Sequence, residues 1–66
     1  MTQKEMVRRH LEAGRSITPL EALGEYNIFR LASVINRLRD EGMPIGTFMK
    51  RSMMNKPYAE YKLVRG

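Results

Sequence analysis

Ile17-Thr18-Pro19-Leu20-Glu21-Ala22-Leu23-Gly24-Glu25-Tyr26-Asn27-Ile28-Phe29-Arg30-Leu31-Ala32-Ser33-Val34-Ile35-Asn36-Arg37-Leu38 is the stretch whose reading decides the fold. Thr18 stands before a proline and is biased to extended backbone, while Pro19 suits the first position of a helix. A short helix is therefore expected from Pro19. Leu20, Ala22 and Leu23 form its apolar face, and Glu21 sits at its positive end. Gly24 with Glu25-Tyr26-Asn27 marks a turn, and Asn27 is a suitable cap for a longer helix over residues 28–41. Ile28, Leu31, Ala32, Ile35 and Leu38 fall on one side of that helix, and Gly42 and Pro44 end it. The other side gathers Arg30, Ser33, Val34 and Arg37, with Asn36 and Asp40 on a flank.

Upstream, Thr2 and Glu5 have the spacing of a capping box, in which each side chain satisfies an orphan amide of the first turn. Met6, Val7, His10 and Leu11 recur at helical spacing behind it, Arg8, Arg9 and Glu12 face water, and Gly14 stops the helix. Downstream, residues 44–49 and 58–64 alternate like strands, with a tip over residues 53–57 that is longer than a two-residue turn. Ala59, Tyr61 and Leu63 are expected to point inward, and Glu60, Lys62 and Val64 outward. The fold class is thus mainly α with a C-terminal β-hairpin, and residues 1–66 read as a single domain.

The 66 residues include no cysteine, so a thin core must be held by helix packing and caps, without disulfides or thiolate metal sites. The formal charge is +5, and the isoelectric point is about 10.1. Residues 1–29 are neutral, with four basic and four acidic groups, whereas residues 30–66 hold eight basic against three acidic and carry the whole excess. The first half reads as scaffold and the second as the part that attracts a polyanion. The first residues lead into an amphipathic segment without an apolar stretch, so neither a secretory signal nor a membrane location is expected. Absence of cysteine fits a reducing, cytoplasmic setting. Nothing supports an enzyme: there is no Ser-His-Asp set, activated cysteine or glycine-rich phosphate loop. No cofactor is implied. His10 lies within an apolar stripe with no second ligand at metal-binding spacing, and reads as a packed, hydrogen-bonded side chain.

Helix, short extended piece, short helix, turn, longer helix and basic hairpin is the order of a winged helix-turn-helix. The runs Ile17-Thr18-Pro19-Leu20-Glu21-Ala22-Leu23, Ile28-Phe29-Arg30-Leu31-Ala32, Ile35-Asn36-Arg37-Leu38-Arg39 and Tyr58-Ala59-Glu60-Tyr61-Lys62-Leu63 also resemble a family of small winged helix-turn-helix domains frequent in phages and prophages. The resemblance covers nearly the whole chain; the tip Ser52-Met53-Met54-Asn55-Lys56-Pro57 departs from it, where a glycine-containing turn would be expected. It implies a winged-helix fold and DNA binding in the cytoplasm or on the nucleoid of a bacterial host, in transcription regulation or as a recombination accessory factor. It carries no set of contact residues, so these come from the helical wheel.

On that wheel the helix 28–41 enters the major groove, and the hairpin 44–64 is a wing on the backbone. Arg30 and Arg37 present guanidinium forks suited to guanine, with Ser33 between them. Asn36 can read adenine, and Val34 can meet a thymine methyl. The bland alternative is a solvated face with a pair such as Arg37 to Glu41. Lys50, Arg51 and Lys56 bracket the tip and suit phosphates, or else serve as edge charge that discourages aggregation. Thr18, by capping the second helix, leaves nearby amides for a phosphate. Phe29 and Tyr26 read as core or turn packing, with stacking on a sugar or base as the other option. Met53 and Met54 read first as cover for a small core; a wedge against DNA or a contact to a partner subunit are the alternatives. The expected partner is duplex DNA, bound by a homodimer or by tandem copies. The competing reading is a protein-interaction module that binds and redirects or inhibits a host protein.

Overall fold

The computed structural model describes residues 2–64. Its elements are α1 (Gln3–Glu12), α2 (Pro19–Tyr26), α3 (Leu31–Asp40), β1 (Ile45–Arg51) and β2 (Pro57–Leu63). Three helices followed by an antiparallel hairpin are the expected architecture. Two of the helix starts follow from threonine caps. The Thr2 hydroxyl accepts the Glu5 N–H at 3.2 Å, and the Thr18 hydroxyl accepts the Glu21 N–H at 3.2 Å. The Glu5 carboxylate does not complete a reciprocal box; it takes Arg8 at 3.1 Å. Between α1 and α2, Ile17 and Tyr61 exchange backbone hydrogen bonds of 2.9 and 2.8 Å. The chain thus meets β2 at a single antiparallel bridge before it enters α2.

The connection between α2 and α3 differs from the sequence reading. Gly24 lies inside α2, which continues to Tyr26. Asn27 adopts the left-handed conformation at φ +57° and closes that helix, with its N–H on the Leu23 carbonyl at 3.0 Å and the Ile28 N–H on the Ala22 carbonyl at 3.1 Å. Asparagine serves either as an N-cap or as a left-handed stop, and here it ends α2 instead of starting α3. Residues 28–30 become the turn, and α3 starts three residues later than expected, with Arg30 at the cap position and no side-chain cap.

Val7, Leu11, Ile17, Ala22, Ile28, Leu31, Val34, Ile35, Leu38, Ile45 and Tyr61 form the core, edged by Tyr26, Met43, Ala59 and Leu63. The inward stripe of α3 is Leu31, Val34, Ile35 and Leu38, a spacing of three, four and seven residues. Ala32 is exposed instead. Leu20 and Leu23, expected in the core, are exposed, as is Phe29. Ala22 is the fully buried residue of α2, and Tyr26 at its end packs half-buried against the core. His10 is buried and satisfied, as the sequence suggested. Because a carbonyl only accepts, the ring donates through Nε2 to Ser16 O at 2.8 Å, and Nδ1 is hydrogen-bonded to the Tyr26 hydroxyl at 2.7 Å.

β1 and β2 pair in a continuous register from Ile45 opposite Leu63 to Arg51 opposite Pro57. Directly opposed residues share a face, so Thr47, Ala59, Tyr61 and Leu63 lie on the helix side, while Phe48, Lys50, Tyr58 and Lys62 lie on the other. The tip is closed by Ser52 N–H to Lys56 O at 2.9 Å, Asn55 N–H to Ser52 O at 2.9 Å, and Lys56 N–H to Ser52 Oγ at 3.3 Å. Asn55, at φ +59°, occupies the left-handed position for which a glycine was expected. Met53 and Met54 do not cover the core: they are 106% and 78% exposed.

Candidate nucleic-acid interface

The outer side of α3 is built from what its inner stripe leaves over. With Leu31, Val34, Ile35 and Leu38 inward, Ser33, Asn36 and Asp40 run along the middle of the exposed side and Arg37 occupies one shoulder. Arg30, at the cap position, lies on the same shoulder as Arg37. Val34 is 8% exposed and belongs to the core, so its expected place on the ridge is corrected. The cause is Ile28: it is buried without being helical, and counting it with Ala32 as part of the apolar stripe turns the wheel by about 45°.

Clefts flank the ridge on both sides. Arg30, Ser33 and Arg37 face Thr2, Gln3 and Lys4 across the first, so the start of α1 adjoins the arginines. The second lies between Phe29, Ala32, Ser33 and Asn36 on one wall and Pro19 and Tyr61 on the other, which brings the start of α2 beside α3. Thr18 is buried and its hydroxyl is fully used, accepting from Glu21 N–H and donating to the Glu21 carboxylate at 3.2 Å. It holds the first turn of α2 in place. The Glu21 carboxylate at that turn weakens its attraction for an anion.

Arg30, Arg37 and Lys56 have no acidic partner among the described residues. The expected alternative pair of Arg37 with Glu41 is not formed. Glu41 is instead clasped by Lys4 and Arg8 of α1. The clasp offsets the charge of a carboxylate at the end of α3. Arg39 is equally committed, donating to Ile45 O from Nε at 3.0 Å and from a terminal nitrogen at 2.8 Å, and to Thr47 Oγ1 at 2.8 Å. It ties α3 to β1 and fixes the hairpin relative to the ridge. On the hairpin, Lys50 pairs with Glu60 at 3.5 Å and Arg51 donates to Asn55 Oδ1 at 3.1 Å. Lys50 and Arg51 are neighbours on one strand and so point to opposite faces.

The Lys4 hydrogen bond, reinforced by the charges of Lys4 and Arg8, holds the Glu41 carboxyl below its ordinary range. A carboxyl with a lowered folded-state pKa stabilises the fold above the unfolded-state value, and that contribution disappears as pH falls through the folded-state value. Glu41→Gln is therefore expected to lower the melting temperature at pH 7 slightly, and to leave wild type and variant melting together in strong acid. Circular dichroism melts at pH 7, 5 and 3 check this; an equal gap at all three would contradict it.

None of the sequence reasoning pointed to Lys4, Arg8 or Arg39 as parts of this surface. Each acts across the fold, and no spacing along the chain signals it. Compared with known proteins, the chain matches no curated protein and no solved structure significantly. The family model described as a winged helix-turn-helix domain matches residues 2–66, and with the order and packing of its helices and hairpin the chain belongs to that family.

Proposed function

We propose that this domain binds duplex DNA, with α3 in the major groove and the hairpin on the adjacent backbone. The observation that carries the reading is the pair of arginines, Arg30 and Arg37, with no acidic partner among the described residues, on one exposed shoulder of a helix whose other side is the core. Arg30, Ser33, Asn36 and Arg37 reach base edges, the arginines as bidentate donors to guanine. Lys56 and Arg51 meet phosphates, with Lys50 a weaker contributor because Glu60 offsets it. Thr18 orders the turn that faces the backbone beside Pro19. The biological setting that best fits is a phage- or prophage-type regulator or recombination accessory factor, acting as a homodimer or as tandem copies, since one module of this size offers little contact area.

Selection of bound oligonucleotides from a random duplex pool at physiological salt tests the reading, and a sharp sequence motif is the expected result. Retention of one host protein in stoichiometric amount, insensitive to nuclease, with no DNA enriched, would replace it with the protein-interaction reading. Lys56→Ala is expected to weaken all duplexes alike and to reduce the slope of log K against log salt by about 1. A titration of binding against salt concentration reads that slope; an unchanged slope would remove Lys56 from the contact set.

A further inference from the structure

Two methionines at the hairpin tip stand outside the core of the described residues, Met53 on the rim of an open cleft that it shares with Pro19 and Leu20 of α2. Met53 is completely exposed and Met54 nearly so, although apolar side chains gain by leaving water. The tip that presents them is well braced. Besides its backbone bonds, Arg51 reaches across to Asn55, and the left-handed Asn55 closes the turn. Arg51 and Lys56 stand on either side of the methionine pair, and no acidic residue lies between Arg51 and Lys56.

We propose that Met53 and Met54 form a wedge that enters the minor groove of bound DNA, parts a base step and bends the duplex. The inference rests on the DNA-binding reading above. Charge selects the occupant: a polyanion is drawn to a tip flanked by cations, whereas a second copy docking tip to tip would bring Arg51 and Lys56 of both chains together. Reach agrees with it. β1 has seven residues, which at about 3.3 Å each extend ~20 Å. From the middle of a major groove to the next minor groove is roughly 17 Å, half of a turn of about 34 Å. With Arg39 fixing the hairpin base to α3, the tip spans one phosphate backbone while the helix stays in its groove. Methionine is unbranched and adaptable, and belongs to the apolar residues that architectural proteins insert between base pairs. Such a wedge favours flexible pyrimidine-purine steps, so it adds sequence preference at a position with no hydrogen-bonded base.

The test uses the full chain and a linear duplex of about 100 bp, shorter than the persistence length of about 150 bp, so that ligase closes it into a circle only when it is bent. Wild type is expected to raise circle yield by roughly tenfold. Met53→Ala with Met54→Ala abolishes that gain while fluorescence anisotropy on the same duplex shows the salt dependence of binding unchanged. Met53→Leu with Met54→Leu, which keeps an apolar wedge, restores it. Binding by wild type without any increase in circles overturns the wedge and leaves the DNA-binding reading intact; absence of binding overturns both. Equal circle yield from the alanine variant overturns the wedge, and so does a wild-type dimer in sedimentation that the same variant converts to monomers.

Discussion

Arg37→Ala and Arg30→Ala are each expected to weaken binding to a selected target by about 1–3 kcal/mol, which is roughly 5- to 150-fold in Kd. The loss should fall on the preferred sequence and leave random duplex far less affected, because a guanidinium fork on a base edge discriminates, whereas a cation on phosphate does not. Neither arginine makes an ion pair in the described structure, so neither substitution removes a contact that holds the fold. The melting temperature should therefore stay within a few degrees of wild type. Arg37→Lys makes a finer comparison: it keeps the charge and loses the bidentate geometry, and should recover non-specific affinity without recovering selectivity. Anisotropy titrations on target and scrambled duplexes measure both quantities. Equal losses on the two sequences would move the arginines from base reading to backbone contact.

Leu38→Ala is expected to have the opposite signature. Leu38 is wholly buried at the C-terminal end of the inner stripe of α3, beside Ile35 and the rest of the core. Removing most of such a side chain costs about 2–5 kcal/mol. A chain of 66 residues has a total stability of only about 3–10 kcal/mol at typical values per residue. The substitution thus consumes much of what holds the domain together, and the melting temperature should drop by roughly 10 °C or more. DNA affinity should fall for every sequence in proportion to the unfolded fraction. A melting temperature within a few degrees of wild type would mean that the core does not depend on this helix as the packing indicates.

The legible parts of this fold are those encoded by neighbours in sequence. Thr2 and the pair Thr18 and Pro19 announce helix starts, and both threonines cap as expected. The alternation around Tyr61 gives the hairpin and its inward face. Asn27 was ambiguous by its chemistry, since one side chain suits both a helix start and a left-handed stop. Choosing the former extended α3 over Ile28 and rotated its wheel, which put Val34 on the wrong side. Leu20, Leu23 and Phe29 show the limit of hydrophobicity as a guide to burial in a small domain, where there is too little interior for every large apolar residue. Arg39 and the clasp of Lys4 and Arg8 on Glu41 depend on how distant elements meet. Charge composition places all of them among the solvated groups until the fold is known.

The ten residues of α3, about three turns, separate two kinds of information. Leu31, Val34, Ile35 and Leu38 lie in the core, and the side chains of Arg30, Ser33, Asn36 and Arg37 lie outside it and exposed. Address and envelope are therefore written on different sides of one helix and its cap residue. Substitution of the outward residues can therefore change what this face contacts with no compensating change inside.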